Sequence, residues 1–141
     1  MIKATSIISM VAGIVLVITG IGTWYTVSTT LGDQNITTPE DACLPDRAVN
    51  GPATAFCQAD IINTHTLDAT GGKTYAELDR DDPLRQTAMT SSFLQASLFT
   101  SVVAFGIAAM AIGIGVVFIF LGLAVRSLVP KEEPVPEEVL D

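Results

Sequence analysis

Two long stretches of this chain carry no charge: no Asp, Glu, Lys or Arg lies between Lys3 and Asp33, and none lies between Arg85 and Arg126. Each exceeds the ~20 apolar residues a helix needs to cross the bilayer hydrocarbon. Charged residues make up 16% of the whole chain, against roughly 25% in soluble domains. The pattern predicts an all-α membrane protein: an antiparallel two-helix transmembrane hairpin with a small helical extracytoplasmic domain between its spans. The expected divisions are a cytoplasmic N-terminus over 1–5 and a first span over 6–28. An extracytoplasmic segment over 29–96 includes the stalk of the second helix, a second span covers 97–125, and a disordered acidic cytoplasmic tail covers 126–141.

The first span could be read as a secretory signal, because Lys3 precedes an apolar run. The run is long for such a signal, and Trp24 and Tyr25 stand where small residues at a cleavage site belong. Trp24 and Tyr25 fit an aromatic belt at the outer interface, which favours an uncleaved anchor. Two crossings put both termini on one side, and Lys3, Arg126 and Lys131 point to the cytoplasm. Arg80 and Arg85 near the opposite end dilute that bias.

The two cysteines, Cys43 and Cys57, both lie in the connecting segment. An oxidising exterior would pair them; a cytosolic placement would leave two thiols with no metal or redox spacing. The disulfide is the preferred reading, and closing a loop of this size is worth roughly 3 kcal/mol in the chain-entropy account. The segment 31–86 holds ten acidic and four basic residues, a net charge of −6. That balance disfavours nucleic acid and anionic headgroups as partners. The expected partners are membrane lipid and other membrane proteins, or a second copy of the chain.

The connecting segment is densely punctuated. Thr38, Pro39 and two acids signal a short turn that Pro45 interrupts. Asn50-Gly51-Pro52 opens a helix that meets no breaker before Thr70, with Phe56, Ala59, Asn63 and Leu67 on one face. Gly71 and Gly72 close it. Thr74 and Glu77 have the spacing of a capping box that opens another short helix. Asp82 and Pro83 then start a last helix with no internal proline before Arg126. Continuous over 83–126, it would be about 66 Å long. Only ~30 Å of that fits in hydrocarbon. The rest predicts an outer stalk with Leu84, Ala88, Ser91 and Leu94 on one face.

Small residues recur along both spans. In the second, one register is Leu94, Ser101, Ala108, Gly115 and Gly122, and a second is Ser97, Ala104, Ala111, Phe118 and Val125. In the first span, Ser6, Ser9, Gly13, Leu16, Gly20 and Thr23 form the matching stripe. Lipid supplies little hydrophobic drive between helices, so close backbone approach over small residues is the expected packing. The seven-residue period predicts a left-handed crossing. Ile7, Ile14, Ile21, Phe105, Ile112 and Ile119 are expected to face outward.

Chemical motifs are sparse. Gly72-Lys73-Thr74 resembles the end of a phosphate-binding loop, but the glycine required five positions before the Gly-Lys pair is Leu67. No nucleotide site is expected. His65 is the sole histidine, which cannot furnish a two-histidine, one-carboxylate iron site. Asp79, Asp81 and Asp82 lack calcium-loop spacing. The sequence thus predicts no catalytic residues, no cofactor and no metal. A groove between helix 52–70 and the stalk, lined by Tyr75, His65 and Phe56, is the expected place for any small ligand.

The stretches Ala59–His65, Ala69–Arg80 and Ser92–Val103 resemble a group of small two-helix membrane proteins of actinobacteria, over roughly 50–125. The resemblance implies a plasma-membrane location with segment 31–86 outside. Members are often labelled aromatic ring-opening dioxygenases, a label the single histidine does not support. The function expected is that of a non-enzymatic accessory or scaffold subunit of a larger membrane assembly, with a respiratory host as one example. The alternative is an extracytoplasmic sensor or small-ligand binder.

Overall fold

The computed structural model describes residues 2–128, whose regular structure is three helices: α1 (Ile2–Gly32), α2 (Pro52–Ala69) and α3 (Arg85–Ser127). Among the described residues the strand-like pairing is confined to one antiparallel bridge, Thr37 with Ala48. By length and composition, α1 and α3 could each cross a membrane.

The helix ends follow from local chemistry. Nothing interrupts α1 from Ile2 onward, so residues 2–5 are helical. Tightened turns end it, with the Gln34 and Asn35 N–H groups on Leu31 and Gly32 carbonyls. Asn35 then takes the left-handed conformation, φ +52°, which asparagine tolerates better than most residues. At the start of α2, Gly51 is extended and Pro52 holds the first helical position. The Thr54 hydroxyl accepts the Gly51 N–H at 3.2 Å. At its end, Gly71 (φ +64°) and Gly72 (φ +84°) reverse the chain. The Gly72 N–H reaches back to the Leu67 carbonyl at 2.7 Å, closing the last turn.

Two expected helix starts take a different form. Thr74 and Glu77 do pair, with both the Thr74 N–H and its hydroxyl 2.8 Å from Glu77 Oε2. A single turn follows instead of a helix, and the Arg85 guanidinium donates to the Tyr75 and Leu78 carbonyls. Asp82 and Pro83 precede α3 rather than forming its first turn. The Asp82 carboxylate accepts the Leu84 N–H at 2.8 Å, and helical structure begins at Arg85. From there α3 is unbroken to Ser127, about 65 Å. Residues 126 and 127 thus close the helix; the rest of the expected acidic tail, 129–141, lies outside the described residues.

α1 and α3 run in opposite directions along one seam. The Ser6 hydroxyl donates to the Gly122 carbonyl at 2.7 Å and the Ser9 hydroxyl to the Phe118 carbonyl at 2.9 Å. Gly13 meets Gly115, Gly20 meets Ala108, and Trp24 stacks edge-on against Phe105 with centroids 4.8 Å apart. A Cβ on Gly13 would fall 2.5 Å from the Gly115 carbonyl oxygen, and one on Gly115 2.6 Å from that of Gly13. Only hydrogen fits at either place.

The outward placement expected for Phe105, Ile112 and Ile119 does not hold. Phe105 is 1% exposed. The Ile119 and Ile112 side chains lie over Gly13 and Gly20. Phe118, expected in the seam, is 40% exposed. The seam on α3 therefore joins Ala108, Gly115 and Gly122 to Phe105, Ile112 and Ile119, one residue on from the second expected register. The reason is steric: two glycines on α1 leave hollows that branched side chains fill and small ones would leave empty. Ile7, Ile14 and Ile21 are exposed on the far side of α1.

At the other end, α2 packs on α3. Leu31, Val49, Ala55, Ala59, Leu98 and Phe105 form the buried cluster. Cys57 and Ile61 are buried on a second side of α2. Phe56 and Asn63, expected on the packed face, are exposed, because alanines at 55 and 59 let α2 approach α3 more closely. On the stalk, Ala88 and Leu98 are buried while Leu84 and Leu94 are exposed.

Candidate functional site: an uncharged groove where three helices meet

Beyond the Trp24–Phe105 contact, the small-residue register of α3 stops serving helix-on-helix contact. Leu94, Ser97, Ser101 and Ala104 instead line a groove of about 830 Å³, within the range of small-molecule sites. α1 contributes Thr26 and Thr30 along one face, with Val27 and Leu31 beside them, and Gln34 joins them from the turn just after the helix. α2 contributes Gln58 and Ile62, and Ile36 reaches in from the loop after α1. The groove was expected between α2 and the stalk alone, and none of its expected residues lines it. Tyr75 lies beneath Arg85, whose guanidinium carbon is 4.3 Å from the ring centroid. His65 pairs with Asp41. Phe56 stacks edge-on against Phe99 at 5.9 Å.

A loop held by hydrogen bonds and one covalent link adjoins the groove. Thr38 is its centre, almost wholly buried. Its N–H donates to the Arg47 carbonyl at 2.9 Å. Its hydroxyl accepts the Arg47 N–H at 3.0 Å and donates to the Leu44 carbonyl. The Val49 N–H on the Ile36 carbonyl, 2.9 Å, fixes Ile36 beside the groove. Cys43 and Cys57 form a disulfide with Cα atoms 5.4 Å apart, tying this loop to α2. The Ser28 hydroxyl donates to the Asn50 carbonyl at 2.7 Å, joining α1 to the start of α2.

The lining contains no ionisable side chain. Several of its hydroxyls are satisfied within their own helices: Thr26 donates to the Gly22 carbonyl, Thr100 to Ala96 and Ser101 to Ser97. Gln58 Oε1 differs, being buried with no hydrogen-bond partner among the described residues. Buried amide oxygens are rarely left so.

The titrating groups lie away from the groove. The hydrogen bond from the His65 ring, with Nε2 2.6 Å from Asp41 Oδ2, holds the Asp41 carboxyl below its ordinary range. The Thr74 N–H, then its hydroxyl, do the same for Glu77. Lys73 follows the C-terminus of α2, where exposed carbonyls give a partial negative charge. A phosphate cradle needs the opposite polarity, a helix N-terminus. Among the described residues, no three His, Cys, Asp or Glu side chains gather as metal ligands.

Of the singled-out packing positions, Gly13, Gly20, Ala108, Gly115 and Gly122 lie in the glycine seam, with Ser9 bonded across it. Ala111 is half-buried beside it, and Ser101 and Ala104 belong to the groove. Sequence reasoning missed Thr26, Thr30, Gln34 and Gln58. A signal was present, since Thr26, Thr30 and Gln34 repeat every four residues at the end of an apolar helix. No protein family, curated protein or solved structure matches the chain.

Proposed function

We propose that the protein is a non-enzymatic accessory or scaffold subunit of a larger plasma-membrane assembly, a respiratory complex being one host of that kind. In this reading α1 and α3 are a transmembrane hairpin with both termini cytoplasmic, and residues 29–96 are extracytoplasmic. Lys3 and Arg126 at one end of the pair support that orientation. The Cys43–Cys57 disulfide at the other end fits an oxidising compartment.

The observation that carries the reading is an uncovered aromatic pair. Phe56 and Phe99 touch each other yet are 50% and 41% exposed, with Val103 at 60% one turn away. If Trp24 marks the interface, Phe99 lies six residues beyond its partner Phe105, about 9 Å outside the hydrocarbon. Lipid does not cover a patch there, and exposed apolar clusters of this kind mark protein contacts. Affinity purification of the native chain in mild detergent should recover a complex that Phe56→Ser with Phe99→Ser disrupts at unchanged helix content. Recovery as a free monomer in both cases would sink the proposal. The groove favours a second reading, an extracytoplasmic small-ligand binder, which is compatible with an accessory role.

A further inference from the structure

We infer that the exposed Phe56–Phe99 face receives a neighbouring membrane protein through an outer segment that sets an Arg or Lys beside an apolar side chain, the cation pairing with Asp60. This rests on the accessory reading above and names the chemistry of its partner.

Charge selects that chemistry. Asp60 follows Phe56 by one turn of α2, so the two share a face. Both are exposed. Neither helix of the patch supplies a base to offset the carboxylate. α2 carries Asp60 and Asp68 with no Lys or Arg, and α3 carries no charge from Gln86 to Val125. Segment 31–86 has ten acids to four bases. Among the described residues its one ion pair is His65 with Asp41. Arg85 is engaged by the Tyr75 and Leu78 carbonyls and lies over the Tyr75 ring. The patch therefore presents aromatic rings beside an unpaired negative charge.

A basic side chain answers both features. The carboxylate attracts it, and the face of an aromatic ring binds a guanidinium or ammonium as well. Phe56 and Phe99 meet edge-on at 71°, and with 50% and 41% exposure they leave ring surface open. A second copy of the chain lacks this complementarity. A symmetric contact through the face would bring two segments of net charge −6 together. An anionic headgroup meets the same repulsion.

Position selects a membrane protein over a soluble one. Phe99, Val103 and Gly106 fall at i, i+4 and i+7, one stripe of α3. All three are exposed, and a Cβ on Gly106 would meet nothing within 4 Å. With Phe105 at the interface, the stripe runs from about 9 Å outside the hydrocarbon at Phe99 to its edge at Gly106. A partner helix can follow α3 out of the bilayer and carry its flank to Phe56 and Asp60 in one continuous contact.

The test uses the full chain in its native membrane, with photoreactive benzoylphenylalanine in place of Asn63 or Ala96. Both positions are exposed, one turn from Asp60 and from Phe99. Irradiation should link a second membrane protein, and the linked peptide should carry Arg or Lys. Asp60→Lys should lower the yield about tenfold at unchanged helix content, because like charges then meet. Asp68→Lys, at the far end of α2, should change it little. Replacing the partner's basic residue with Glu should restore the yield in the Asp60→Lys chain. No protein adduct, a linked peptide without Arg or Lys, or a yield indifferent to Asp60→Lys would overturn the inference. Adducts only with lipid, a soluble protein or a second copy would do the same. The accessory reading fails separately. It falls if the chain also purifies as a free monomer, whereas a recovered complex that ignores the sign at position 60 leaves it standing.

Discussion

The two ends of the α1–α3 pair use one register of small residues for opposite purposes. From Ser6–Gly122 to Gly20–Ala108, backbone lies against backbone and branched side chains fill what the glycines vacate. From Ala104 to Leu94 the same face of α3 lines a groove. The difference comes from what opposes each part. Glycines on α1 oppose the sealed half. Thr26, Thr30 and Gln34 oppose the other, and their bulk prevents backbone contact while α2 enters from the side. A small-residue stripe is therefore half a specification; the facing residue decides between a seam and a groove.

The strongest way to break this comparison is to put bulk into the seam. Gly13→Leu places carbon against the Gly115 backbone, whereas Gly113→Leu on the same helix pair meets nothing within 4 Å. Overpacking costs about 1–3 kcal/mol where neighbours can shift, and backbone cannot. The expected result for Gly13→Leu is a loss at or above the top of that range, with α1 separating from α3. Gly113→Leu should be near neutral. Thermal melts followed by circular dichroism in detergent would compare them, and equal losses would mean the seam is misplaced.

That contrast also explains how far the fold was legible. The two long apolar helices, the start of α2 at Pro52 and its close at Gly71-Gly72 rest on local rules, charge gaps and cap residues, that act whatever the tertiary surroundings. The helical phase of α3 was half legible. Ala108, Gly115 and Gly122 stood out as small, but choosing Phe105, Ile112 and Ile119 over their neighbours required knowing that Gly13 and Gly20 lay opposite. The turn at Thr74 shows a similar limit: its capping pair formed, but one turn follows rather than a helix, with Arg85, eleven residues on, donating to the Tyr75 and Leu78 carbonyls. Gln58 was invisible because an orphaned oxygen is defined by what does not reach it, which only the assembled packing reveals.

The disulfide sharpens the comparison from the groove side. Cys43 lies in the loop that fixes Ile36 at the groove, and Cys57 lies on α2. Neither touches the seam. Cys43→Ser with Cys57→Ser should cost roughly 3 kcal/mol of stability in the outer segment by freeing the loop in the unfolded ensemble. Amide exchange should accelerate across 36–70 and stay slow across 9–20 and 108–122. Acceleration spread evenly along α1 would show that the two halves of the pair unfold as one unit.

The smallest effect expected is at the edge of that same loop. The His65 ring on α2 holds the Asp41 carboxyl below its ordinary value of 3.8 by a hydrogen bond. A carboxyl depressed in the folded state contributes stability that is fully present above its unfolded value. That contribution fades as pH falls through the lower folded value, so the link between loop and α2 weakens only in acid below about 3.8. Both side chains are more than half exposed, which keeps the effect slight. His65→Ala should raise the Asp41 pKa towards 3.8, read by carboxyl NMR titration, and should speed exchange in residues 38–47 more than in the groove-lining turn of α2. An unmoved Asp41 titration would mean the pair does not form in solution. The disulfide would then be the side-chain link between the loop and α2, with the buried Thr38 network bracing the loop internally.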